Sequence, residues 1–301
     1  MENRNTPPRT AFMTFMTFAR KVYNPIGFAE GHNAAMWFVF VGALFCFAVI
    51  RLQYLNFSGV FCNPNLRGPM TAMPGECFYY TTSARDHVGI ILHLATILPG
   101  TILACLQFVP TIRHKAILFH RINGYAVLLL AFVGTIGALM IARHSAGGGV
   151  DVQTFVGLLA IMFLGSLGRA LYSVKSTMIG QHRAWMIRAW AYAGVIVTMR
   201  LGMFLGAMII SHAEQYLVQP CDKINFTLKG ERATMQFYPE CGPFFSGENP
   251  GQKAVVRAKY LAPGNVMEVA AAFDAVFGPA AWLALALHAS LVEFYLAFNP
   301  H

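Results

Sequence analysis

Residues 34–55 read AAMWFVFVGALFCFAVIRLQYL, twenty-two positions in which Arg51 is the single charge. As a helix rising about 1.5 Å per residue, such a stretch crosses the roughly 30 Å hydrocarbon layer of a bilayer. Five more stretches read the same way: 88–109, 124–143, 154–173, 187–210 and about 276–297. None alternates with the period-2 pattern of a barrel strand. Pro99-Gly100 interrupts the second stretch, and Pro279 follows Gly278 near the start of the sixth.

The composition agrees. Of 301 residues, 56% are apolar and 12% charged, against about 25% charged in a soluble domain. Mean hydropathy is +0.51. Soluble, disordered, collagen-like and small disulfide-scaffold classes are excluded. The fold class is all-α: a polytopic membrane bundle of about six transmembrane helices with a disulfide-stapled extracytosolic loop. Its partner is the lipid bilayer. The domains are a cytosolic N-terminal segment (1–33), a five-helix membrane core (34–211), a long lumenal or extracellular loop (212–268), and a sixth membrane helix with a short cytosolic tail (269–301). The first segment lacks the layout of a cleaved signal peptide. Phe12, Phe15 and Phe18, followed by Arg20 and Lys21, suit a short helix on the membrane surface, with a disordered tail the competing reading.

Twenty-two basic against thirteen acidic residues give a net charge of +9. The basic residues fall between apolar runs, so they orient spans and do not form a nucleic-acid face. With the N-terminus inside, the inner segments hold Arg4, Arg9, Arg20, Lys21, Arg113, Lys115, Arg121, Lys175, Arg183 and Arg188. The two short outer loops hold Arg67 and Arg85. Both termini are therefore expected in the cytosol.

Two signals agree with that topology. Cys46 and Cys105 lie in spans, whereas Cys62 and Cys77 share the first outer loop and Cys221 and Cys241 the long one. Bridges Cys62–Cys77 and Cys221–Cys241 are expected of an oxidising compartment, although four cysteines allow three connectivities. A zinc site competes, but no Cys-x-x-Cys spacing supports it, and no metal ligand is expected. Asn56-Phe57-Ser58 and Asn225-Phe226-Thr227 match the glycosylation acceptor pattern on the same side, with Asn225 the better candidate. Together they point to a eukaryotic secretory-pathway or plasma membrane.

Polar residues inside a bilayer are costly and mark candidate sites. The spans hold His93, Gln107, Arg169, Arg200, His288 and Glu293, with His120 and His182 just inside the inner boundary. Arg200 needs a partner. Eighteen residues separate it from His182, which puts both on one helical face and makes that face the bundle interior.

The segments HRINGY (120–125) and HRAWMIR (182–188) each open a span that runs outward and ends in histidine, His144 or His212. These residues, with Gln107-Phe108 before Arg113, make the stretch 87–210 resemble an integral-membrane family catalogued as domain of unknown function 2306. The resemblance implies a four-helix core and no established activity. Family sequences commonly carry a basic residue after the glycine of the first motif, where this chain has Tyr125.

The candidate catalytic residues are His120 and His182, as general acid or base, with Arg121 and Arg183 holding an anionic group at the cytosolic face. A lipidic or anionic small-molecule substrate fits them. No Asp-x-x-x-Asp pair accompanies them, which speaks against magnesium-dependent prenyl transfer. A b-type haem on His93, His120 or His182 is the redox alternative, since it needs facing imidazoles at one depth. His93 lies about 8 Å deep whereas His144 and His212 are superficial, so the inner pair matches better. An anchoring role, with the arginines on lipid phosphates and Trp185 in the aromatic belt, is the plain reading. The expectation is a membrane-embedded enzyme or redox protein. The alternatives are a non-catalytic accessory protein of a biosynthetic pathway, or a transporter.

Overall fold

The computed structural model describes residues 17–66, 71–262 and 264–299. Phe12, Phe15, Arg4, Arg9 and Arg67 lie outside them. Residues 17–23, which include Phe18, are helical.

Among the described residues six helices are long and apolar enough to span a membrane, as the hydropathy requires. They are α1 (Gly31–Arg51), α3 (Ala84–Gln107), α5 (Ile117–Ile141), α6 (Val150–Lys175), α7 (Ile179–Ile210) and α11 (Val266–Phe298). Short helices α2 (Glu76–Thr82) and α4 (Pro110–Lys115) join them, and a π-turn follows α1 at Phe57–Phe61. Strands β1 (Tyr216–Pro220) and β2 (Lys253–Arg257) pair antiparallel, with Tyr216 opposite Arg257. Between them lie α8 (Cys221–Leu228), α9 (Glu231–Phe237) and α10 (Gly242–Phe245).

The fifth and sixth spans begin earlier than hydropathy alone implies, at Ile179 instead of 187 and at Val266 instead of 276. Both extensions carry polar residues, His182 and Arg183 in one, Glu268 and Asp274 in the other. Polar side chains end a hydrophobic window, but they do not end a helix whose backbone hydrogen bonds continue. Pro99 and Pro279 both lie inside helices that run on past them.

The chain divides into two compact units, Met1–Leu52 with Ile97–Leu130, and Gln53–Thr96 with Ala131–His301. In the first, α1 meets the second half of α3 through the Cys105 thiol, which donates to the Val41 carbonyl. Asn123 Nδ2 donates to the Leu103 carbonyl at 2.9 Å, tying α5 to α3.

In the second unit, α7 packs along α6 and α11. Val195, Met199, Met203 and Ala207 are buried there with Ala270, Ala271, Ala281 and Ala284. Small residues let helix backbones approach closely, which is how packing holds helices when lipid supplies no hydrophobic drive. At Gly137 the approach is extreme: an added Cβ would lie 2.6 Å from the Gly89 carbonyl oxygen. Large apolar side chains such as Ile161 and Leu283 are 72% exposed, as expected where the solvent is hydrocarbon.

One end of this unit carries a cap. Both expected disulfides form, Cys62–Cys77 and Cys221–Cys241. The strand pair, α8 to α10, α2 and the first turns of α11 collect around them. Cys105 is buried, and Cys46 is exposed on α1.

Candidate functional site

The densest group of buried polar side chains lies at the cap end of the second unit. Ser83 Oγ accepts from the Asp86 backbone N–H at 3.3 Å and so caps α3. Asp86 thus sits in a first helical turn, where the helix dipole favours a carboxylate. Its side chain is 1% exposed, and Oδ2 lies 2.9 Å from His144 Nδ1. A carboxylate accepts and cannot donate, so Nδ1 is the donor in that bond, and in the neutral ring the lone pair falls on Nε2. Tyr79 stacks on the imidazole at 4.3 Å with ring planes 7° apart. Among the described residues nothing bonds Nε2, and the His144 side chain is 32% exposed.

His144 opens the tight turn between α5 and α6. Ala146, Gly147 and Gly148 all take left-handed backbone conformations there, Ala146 at φ 47°. For a residue with a Cβ this costs on the order of 1 kcal/mol or more. It directs the Ala146 N–H onto Glu76 Oε1 at 3.1 Å. Ser145 Oγ and the Tyr80 hydroxyl are 3.2 Å apart on the same turn. Burial pushes the Glu76 carboxyl above the usual range, and the nearby Arg200 charge only partly opposes this. The Tyr80 phenol is driven well up, chiefly by burial and then by the Glu76 charge. Burial also raises Tyr79, followed by the Asp222 charge.

Beneath the turn, Lys223 Nζ donates to Asp274 Oδ2 and to Gln219 Oε1, and Gln219 Nε2 donates to the same Asp274 oxygen, each at 3.0 Å. This buried triad joins α8, β1 and α11. Gly147 packs so closely on it that a Cβ would meet the Asp274 Cβ at 3.0 Å. Arg200, on α7, donates from Nη1 to the Met73 sulfur at 3.6 Å.

Chemically, this end offers an imidazole oriented by a buried carboxylate, a neighbouring carboxyl biased toward its neutral form, and two phenols. An imidazole with one open nitrogen and a carboxyl biased toward its neutral form are suited to act as base and acid.

The sequence-derived candidates are arranged differently. His120, Arg121 and Gln107 belong to the first unit, where Gln107 Nε2 donates to the His120 carbonyl at 3.1 Å and Arg121 is exposed. His93, His182 and Arg183 belong to the second. His182 Nδ1 bonds the Ala170 carbonyl at 2.9 Å, and His93 Nδ1 the Gly134 carbonyl at 2.8 Å. His182 lies 28 residues, about 42 Å along the helix, from the cap end of α7, whereas His93 is within about 14 Å of the cap end of α3. These two histidines do not face one iron. His288 uses both ring nitrogens, on the Ala191 carbonyl and the Thr198 hydroxyl, each at 2.7 Å. Arg188 forms a bidentate pair with Glu293 at 2.6 and 2.7 Å and lies 4.7 Å over the Trp185 ring. Asn56 caps the π-turn by accepting from the Gly59 N–H, and Asn225 lies half-buried in α8.

Sequence reasoning passed over Glu76, Asp86 and Asp274. One signal was available. In a chain with thirteen acidic residues, Asp86 and Asp274 each stand two residues before a span start on the same predicted side of the membrane.

The family model described as predicted membrane protein (DUF2306) matches residues 90–219, bearing out the resemblance read in 87–210. The chain is also similar to Ava biosynthesis cluster protein G of Aspergillus versicolor, 24% identical over 316 residues that cover 90% of each protein. No solved structure matches it.

Proposed function

We propose that this chain is a membrane-embedded enzyme of a small-molecule biosynthetic pathway, carrying out proton transfer at the cap end of its bundle. The Asp86–His144 pair carries the reading: an imidazole held by a carboxylate that is 1% exposed, with its second nitrogen open. His144 Nε2 takes a proton from one substrate atom, and Glu76, held on the same turn by the N–H of Ala146, returns one to another. The substrate loses one proton and gains one, and exchange with water then returns His144 to its neutral and Glu76 to its protonated form, a balance that suits an isomerisation or a cyclisation. Similarity to a biosynthesis cluster protein supports the pathway setting. In this reading both termini are cytosolic, the cap faces an oxidising lumen, and Asn225 and Asn56 are acceptors for glycan.

The test is metabolite profiling in the native host, comparing the parent with Asp86→Asn, His144→Gln and Glu76→Gln at matched abundance. Loss of roughly 10²-fold or more in product is expected for His144→Gln. Full product from all three variants overturns the reading and favours an accessory role.

A second reading keeps the chemistry at the cytosolic face, on the His182–Arg183 pair of the second unit or the His120–Arg121 pair of the first. It is favoured by the His182 Nδ1 bond to the Ala170 carbonyl, which fixes the ring and leaves Nε2 open beside Arg183. His120→Gln and His182→Gln belong in the same panel. An absorbance spectrum of the purified protein tests a haem on His93, His120 or His182.

A further inference from the structure

A guanidinium enclosed within a membrane protein needs a counter-charge, since stranding one is costly. Arg200 has none within ion-pair distance among the described residues. Its one hydrogen bond goes to the Met73 thioether, a weak acceptor, and its Nε is closed off from solvent and unbonded. Glu76 is the carboxyl nearest in effect, but one of its oxygens already accepts from Ala146 and the two side chains form no ion pair. Burial biases Glu76 toward its neutral form, and a neutral carboxyl leaves the arginine charge uncompensated. The other cation beneath the turn, Lys223, is taken by Asp274 and Gln219. Arg200 nevertheless keeps part of its surface open.

We infer that Arg200 is the anchor for a carboxylate carried by the substrate, which enters from the cap side and completes the unfilled fork of the guanidinium. Arginine presents paired donors in a plane that matches a carboxylate. A single negative charge balances the site. A phosphate dianion would bring a second one toward Asp86, Asp222 and Asp274, whose charges are already felt at Tyr79. The location rests on the function proposed above, but the binding can be measured without turnover.

The experiment uses the full chain in detergent, with acetate, benzoate and inorganic phosphate as probes at matched ionic strength. Benzoate or acetate at about tenfold its dissociation constant should raise the unfolding midpoint of the parent by about 2–4 °C. Arg200→Gln should abolish the rise, and Arg200→Lys, which keeps the charge but not the fork, should at least halve it. His144→Gln should retain it. No carboxylate effect in the parent, an equal effect in both Arg200 variants (an adventitious ion only), or a response to phosphate alone each overturns the inference. A carboxylate effect that survives in a His144→Gln protein of full metabolic activity would leave the anion site standing and remove the acid–base role.

Discussion

Glu76 concentrates the electrostatic argument at the scale of a single residue. Its carboxyl is buried among Arg200, Lys223, Asp274 and Tyr80, and burial outweighs the two cations in raising its affinity for a proton. The folded protein therefore holds that proton more tightly than the unfolded chain does. By linkage the fold loses stability as pH climbs from about 4.5, the ordinary carboxyl value, toward the raised folded value. Thermal unfolding of the purified protein across pH 4.5–7 should show this decline, and Glu76→Gln should flatten it. A parent and variant with parallel profiles would assign the pH dependence elsewhere. None of this was legible from one sequence. Glu76 and Ala146 are 70 positions apart, and no local pattern announces that an amide hydrogen from a left-handed alanine will reach that carboxylate.

At the scale of elements, the crossing of α3 and α5 depends on two glycines. A Cβ on Gly137 would lie 2.6 Å from both the Gly89 carbonyl oxygen and the His93 backbone nitrogen, and neither can yield because both are main chain. Gly137→Ala should therefore destabilise the protein by about 1–3 kcal/mol, the usual cost of forcing atoms into a packed interface. Gly165 offers the control, with no atom within 4 Å of its virtual Cβ; alanine there should be neutral or stabilising by up to about 1 kcal/mol. Unfolding midpoints of the two variants decide the matter, and equal midpoints would remove the crossing from the account. The existence of all six spans was legible, because about twenty apolar residues in a row have few other uses. Their ends were not. The hydrophobic window stops where lipid contact stops, while α7 and α11 continue as helix beside polar residues that pack on protein.

For the molecule as a whole, the open quantity is its direction in the membrane. Ten basic residues in the inner segments, the N-terminal one included, against two in the short outer loops favour cytosolic termini, and two intact disulfides suit a lumenal cap. Reporter fusions after Ser176 should read cytosolic, and fusions within 225–250 lumenal; the reverse at both positions would overturn the charge argument. The cap pairing itself was legible, since each cysteine pair closes a short stretch within one loop. The buried triad was not, because Lys223 and Asp274 are 51 residues apart, with β2 between them. That separation has a consequence for biogenesis. When the ribosome has delivered α8, its lysine is committed to a place that will be dry, yet the aspartate meant for it is still in the exit tunnel or unsynthesised. If the cap is lumenal, as proposed above, then until α11 enters the bilayer it carries an unsatisfied ammonium beside exposed apolar surface, the kind of feature lumenal chaperones retain. On that orientation, insertion of the last span is the step at which the Asp274 carboxylate reaches Lys223 and closes the cap.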